Sequence, residues 1–198
     1  MPELIDIANA LVLLANFVLI PALSYGSQLA MGALGITLVY GILRFSNFAH
    51  GDLMAFGTML TILITWWLQS MGISLGIFPT ALLALPIAIL GAIILSLMFD
   101  QWVYKFYRIK KSPPVIFVIV STGVMFMTNA IVRFIIGPND QRFFDGTKFI
   151  IRPHEFKQLT GLSEGLALKS TQVLTVAITL ISVTILFWFL QKTRTGKA

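Results

Sequence analysis

Asn47-Phe48-Ala49-His50-Gly51-Asp52 places an amide, an imidazole and a carboxylate between two long apolar runs. Polar and ionisable groups at membrane depth are costly, so they mark functional positions by default. N-terminal to this break, Ala8 to Leu43 forms an apolar region of 36 residues. As helix it would measure about 54 Å against a hydrocarbon core of about 30 Å, so it must bend or divide. Pro21 and Gly26 mark the expected break, giving either two spans or one span preceded by an interfacial helix. C-terminal to the polar stretch, four segments are each close to the length needed to cross: Leu53 to Met71, Pro79 to Phe99, Val115 to Ile136 and Val173 to Leu190. The expected fold is therefore all-α, a polytopic membrane helical bundle of five or six spans, forming a single domain over residues 1–198.

Composition excludes several classes of function. Hydrophobic residues make up 57% of the chain and charged ones 11%, which is the balance of a membrane protein rather than of a soluble domain. The net charge of +6 sits at span ends, with no basic face interleaved with aromatics, so nucleic acid is not an expected partner. The absence of cysteine excludes disulfides, thiolate metal sites and cysteine nucleophiles. Glu3 and Asp6 stand where a signal peptide would carry cations, so the first apolar run is expected to be retained.

Cation placement orients the chain, because cytoplasmic loops are enriched in Lys and Arg near span ends. Lys105, Arg108, Lys110 and Lys111 crowd one short loop. Lys192, Arg194 and Lys197 cluster two spans later, on the same side, and Arg44 precedes the polar break there too. The segment from about 137 to 169 then faces outward; it opens on Gly-Pro, carries mixed charge and reads as a loop-rich outer segment.

The break admits a simple structural reading, with Gly51 relaxing the turn and Asp52 complementing the dipole of the following helix. That accounts for Asp52 and leaves His50 unexplained. On one continuous helix the two would lie about 200° apart; only an extended turn would point them to the same side as a pair. Gly26, Ala30, Ala33, Thr37 and Gly41 draw a small-residue stripe whose expected role is close helix packing, as do Ala84, Ala88, Ala92 and Ser96. Thr122, Asn129 and Arg133 share one face of a span that also carries Ser121 and Thr128. Interhelical hydrogen bonds, with Arg133 reaching the outer surface, and a place on a translocation pathway both fit that face. His50 and His154 show no metal-ligand spacing, and no metal or other cofactor is expected. Gly161-Leu162-Ser163-Glu164-Gly165 matches Gly-x-Ser-x-Gly by letter, in an outer loop that is not the context of a nucleophile elbow. No Walker A pattern occurs.

The run Gly32-Ala33-Leu34-Gly35-Ile36-Thr37-Leu38-Val39-Tyr40-Gly41, followed by Asn47 to Leu53, resembles the signature of permease subunits of branched-chain amino acid ABC importers and their urea and short-amide relatives. Looser matches follow in order at the basic loop around Lys105, at Ser121-Thr122-Gly123 and at Arg194-Thr195-Gly196-Lys197-Ala198. The resemblance implies a bacterial inner-membrane subunit that works with a second permease subunit, two ATPase subunits, a periplasmic substrate-binding protein and the surrounding membrane lipid. It implies that Arg194, Thr195, Gly196, Lys197 and Ala198 open the cytoplasmic segment that docks on the ATPase, from residue 192 onward. Because further spans follow in that family, the chain is expected to be a C-terminally truncated permease.

Asn47, His50, Asp52, Thr122 and Asn129 are accordingly the candidate pathway or gate residues. The expected function is transport of branched-chain amino acids, with catalysis confined to partner ATPases. A urea or short-amide permease is the alternative within the class. Outside it stand an intramembrane enzyme using His50 and Asp52, which lacks a third catalytic partner, and a structural subunit with no pathway, for which the polar break would be a needless cost.

Overall fold

The computed structural model describes residues 2–76, 78–141 and 149–192. Helices α1 (Pro2–Leu14) and α2 (Ile20–Leu43) are joined by a π-helical turn over Ala15–Leu19. Then come α3 (His50–Ser70), α4 (Ala81–Phe99), a second π turn over Asp100–Tyr104, α5 (Lys105–Ile109) and α6 (Pro114–Ile136). Strand β1 (Phe149–Ile151), helix α7 (Pro153–Thr160), strand β2 (Leu168–Lys169) and α8 (Ser170–Lys192) complete the order. Among the described residues five helices are long and apolar enough to cross a membrane: Ile5–Ile42, His50–Ser70, Ala81–Ile109, Pro114–Ile136 and Ser170–Lys192.

The first of these corrects an expectation. Pro21 and Gly26 do not divide the first apolar region, which runs as 38 continuous helical residues. Proline lacks an N–H, and its ring crowds the carbonyl four residues earlier, here that of Phe17. The π turn absorbs the mismatch just before Pro21, with the Ile20 N–H donating to the Ala15 carbonyl. Gly26 stays helical within α2. A second correction concerns the basic loop: the helix after Pro79 runs on to Ile109, so Lys105 and Arg108 lie on its last turns rather than in a connection.

The chain divides into two compact units, one of residues 32–145 and one of residues 1–31 with 146–198. In the first, α3 packs on α4 and α6. Ala49, Phe99 and Val124 form its buried centre, with Leu53, Leu95, Val103, Tyr104 and Met125 against them. Small residues set the α3–α4 approach. Ala84 and Ala88 are buried, Gly57 faces the Ala92 methyl, and Gly91 leaves room for Leu60, whose Cδ1 would stand 2.5 Å from any added Cβ. The other small-residue stripe behaves differently: Gly26, Ala30, Ala33, Thr37 and Gly41 are all exposed, and the space around Gly26 and Gly41 is open. Within this unit α2 turns a different face inward, with Gly32 toward Met54, Gly35 under His50 and Val39 on a cleft. Gly35 lies about 160° around the helix from Ala33, which is why the stripe expected to pack faces out.

In the second unit two asparagines hold a loop that has few backbone partners of its own. Asn16 Nδ2 donates to the Gly165 carbonyl at 2.8 Å while its Oδ1 accepts from the Ala167 N–H at 2.9 Å. Two helical turns earlier, Asn9 Oδ1 accepts from the Glu164 N–H at 3.2 Å. β1 and β2 pair antiparallel beside this loop. Gly161 caps α7 in the left-handed conformation, and Gly165 sits against the Pro153 backbone, so the Gly-x-Ser-x-Gly letters belong to a helix cap and a close approach. Asn16→Leu should leave two backbone groups unsatisfied, at about 1–3 kcal/mol each. The expected result is a lower thermal midpoint and faster proteolysis between Gly161 and Lys169, read by gel after limited digestion.

Candidate functional site

The polar break between α2 and α3 is built from three helices. Asn47 opens it as an Asx turn: its Oδ1 accepts from the Ala49 N–H at 3.1 Å, and its carbonyl accepts from the His50 N–H at 3.3 Å. The same Oδ1 accepts from the Tyr104 hydroxyl at 3.3 Å, tying the turn to the second π turn. The Phe48 N–H donates to Ser121 Oγ at 3.2 Å; Ser121 is fully buried and itself donates to the Val118 carbonyl. Asn129 Nδ2 then donates to Asp52 Oδ1 at 2.8 Å. Irregular backbone within a membrane protein persists only where protein or a water-filled cavity satisfies it; here Asn47 and Ser121 take the Ala49 and Phe48 N–H groups.

Depth follows from helix arithmetic. Ser121 lies seven residues into α6, about 10 Å from its first residue, and Gly35 lies eight residues before the end of α2, about 12 Å. The two figures agree, so the turn re-enters the bundle and α3 starts well inside it. α3 and α6 run in the same direction, since Phe48 pairs with Ser121 and Asp52 with the later Asn129.

His50 and Asp52 do not form a pair. Helix α3 begins at His50, so both stand on one helix about 200° apart. Asp52 turns to Asn129, and His50 turns to the opposite side, where its ring lies directly over Gly35. A methyl at position 35 would collide with the imidazole Nε2 and come within 2.6 Å of Cε1. Among the described residues the imidazole has no hydrogen-bond or ionic partner. It borders an open cleft of about 650 Å³ between α2, α3 and α4, lined chiefly by Val39, Leu53, Met54, Ala88 and Ile89, with Thr58, Thr61 and Ser96. Thr58 also borders a second cavity of about 420 Å³ between the middle of α3 and the C-terminal end of α6, lined as well by Asn139, Asp140 and Gln141. The arrangement has the form of a binding cleft: a mostly apolar cleft with a few polar groups is the common form of a small-molecule site. An enzyme using His50 against Asp52 has no support in this geometry.

Of the expected pathway residues, the structure gathers Asn47, His50, Asp52 and Asn129 at the break. Thr122 stays apart, donating to the Val118 carbonyl of its own helix at 3.1 Å. Arg133 is exposed near the end of α6. Residues 194–198, expected to open the ATPase contact, lie outside the described residues. Sequence reasoning missed Tyr104, Gly35 and the anchoring role of Ser121. Ser121 and Thr128, seven apart and both fully buried, were a usable signal; Gly35 was hidden inside a glycine-rich run.

Residues 18–198 match the model of a family described as branched-chain amino acid transport system, permease component. The high-affinity branched-chain amino acid transport system permease protein LivH of Salmonella typhimurium is 28% identical over 177 residues, covering 87% of this chain and 54% of that protein. The LivH of Escherichia coli is 27% identical with the same coverage. The chain thus spans about half the length of these relatives, and no solved structure matches it. With a family match over nearly the whole chain and five apolar helices of spanning length, this is an integral membrane protein belonging to the permease component family of branched-chain amino acid transport systems.

Proposed function

We propose that the chain is a membrane-spanning subunit of an ABC importer that carries branched-chain amino acids across the bacterial inner membrane. In this reading it works with a second permease subunit, two ATPase subunits and a periplasmic binding protein. The observation that carries the reading is the re-entrant turn from Asn47 to Asp52. A helix broken at membrane depth is how many transporters build a substrate site; in this break Ser121 holds the Phe48 N–H, while Tyr104 and Asn129 hold the side chains of Asn47 and Asp52. Here the break leaves on a mostly apolar cleft an imidazole with no hydrogen-bond or ionic partner among the described residues, which suits passage of a zwitterion with an aliphatic side chain. The names of the LivH relatives and of the family support that substrate class over urea or short amides. The outward stripe of Gly26, Ala30, Ala33, Thr37 and Gly41 is then the face offered to the second permease subunit, since small residues let backbones approach in lipid. Arg194 to Ala198 are proposed to begin the ATPase contact.

The test is uptake in cells carrying the chain within its transporter. Leucine uptake should be competed by isoleucine and valine, untouched by urea, and lost when the ATPases are inactivated. Uptake of urea with no uptake of leucine would reassign the substrate. Orientation is tested separately: cysteine at Lys110 should label with an impermeant reagent only from the cytoplasmic side. Cysteine at Leu159, 87% exposed, should label from outside in intact cells.

A further inference from the structure

We propose that the pocket lined by Phe45, Tyr104, Arg108, Ser112, Pro114 and Phe117, of about 200 Å³, holds the headgroup of an anionic phospholipid. Its position fits a lipid. Phe45 follows the end of α2 by two residues, Arg108 is next to last in α5, and Pro114 is the first residue of α6, so the pocket lies where three helices reach the membrane boundary. Its floor is aromatic: the Phe45 ring is 5.2 Å from that of Phe117 and 6.1 Å from that of Tyr104. Such a floor accepts the glycerol and first methylenes while the rim takes the phosphate.

Arg108 is the one cation among the lining residues and is paired by Asp100; the unpaired positive charge comes from its neighbours along the chain. Asp100 takes both terminal nitrogens of Arg108, at 3.0 and 2.8 Å. In a regular helix residues eight apart lie about 80° off one face; the extra residue of the π turn rotates Arg108 back over Asp100. Lys110 lies 4.2 Å over the Phe106 ring. Arg44, Lys105 and Lys111, chain neighbours of Phe45, Tyr104 and Ser112, have no ion-pair partner among the described residues.

Backbone conformation supplies an independent argument. Among the described residues, the two non-glycine positions with positive φ are Arg44 at 54° and Lys111 at 50°. Glycine is the unstrained choice in that region, and strain of this kind is retained where the side chain serves a function. Both strained residues are cations, and each directly adjoins a residue of the pocket. Both residues close helix ends, with the Arg44 N–H donating to the Tyr40 carbonyl and the Ser112 N–H to the Tyr107 carbonyl; glycine is the usual residue at such a position, and here both carry a cation beside a residue of the pocket.

The test uses the purified protein in nanodiscs of phosphatidylcholine with or without a minority of phosphatidylglycerol, reading retained lipid by native mass spectrometry. Each cation near an anionic headgroup contributes about fivefold, so Arg44→Gly with Lys111→Gly should lower phosphatidylglycerol retention by about twenty-fivefold. Because glycine relaxes both turns, the thermal midpoint in phosphatidylcholine should hold or rise. Should that double variant fold poorly, Lys105→Gln, which leaves the turns untouched, should still lower retention by about fivefold. Unchanged retention in the variants that fold would overturn the proposal. So would displacement of the lipid by inorganic phosphate alone, or loss of ATPase association with lipid retention intact, which would give the surface to a protein partner.

Discussion

Replacing Asp52 with Leu should remove nearly all uptake by the assembled transporter, a fall of about a hundredfold, while Asp52→Asn retains a measurable part. The reason is the Asn129 amide, which donates to the carboxylate at 2.8 Å. Leucine would strand that amide at membrane depth, and removing a hydrogen bond to a charged group costs about 1.5–3 kcal/mol. Since about 1.4 kcal/mol is a tenfold change, that range reaches a hundredfold if the pair holds the break in its transporting geometry. Asparagine can still accept from Asn129. A double-mutant cycle with Asn129→Leu isolates the pair: the second substitution should add little once the first is made. If the two losses simply add, the pair is not the unit that positions the break.

The second large effect is expected at His50. His50→Ala should lower uptake by about tenfold at normal membrane abundance, because the imidazole borders the cleft and has no hydrogen-bond or ionic partner among the described residues. Gly35→Val should lower uptake as well, by a different route: its side chain would occupy the space of the imidazole and drive the ring off α2. A purely structural histidine would behave in the opposite way, with His50→Ala reducing assembly and leaving the rate per assembled transporter unchanged. Measuring uptake against the amount of complex recovered from the membrane separates the two.

Much of the fold was legible because hydrophobic length is a strong signal in a membrane chain. The spans expected from Leu53, Pro79, Val115 and Val173 appear as helices within a few residues of those limits, except that the second runs on to Ile109. What escaped the sequence was local. Pro21 reads as a break because proline removes a helical hydrogen bond, yet a π turn before it preserves the helix, and spacing in sequence cannot show which outcome a proline will take. The stripe from Gly26 to Gly41 is visible as a pattern, whereas the face α2 turns inward depends on neighbours; Gly32 and Gly35 face Met54 and His50 instead. At the site, the residue types were readable and their pairing was not. Asp52 sits two residues from His50 in sequence and bonds to Asn129, 77 positions away. Ser121 reads as one more small polar residue until Phe48 is seen donating to it.

The central claim is that the break at Asn47 to Asp52 lies on the path of the transported molecule, and a cysteine at position 50 tests it most directly. These 198 residues contain no cysteine, so His50→Cys introduces a single reporter into the chain. Within the assembled transporter its thiol should react with a small water-soluble reagent, and leucine presented by the binding protein should slow that reaction. A thiol at position 50 that stays unreactive while a cysteine at Lys110 labels freely, or one whose labelling rate ignores substrate, would contradict the account.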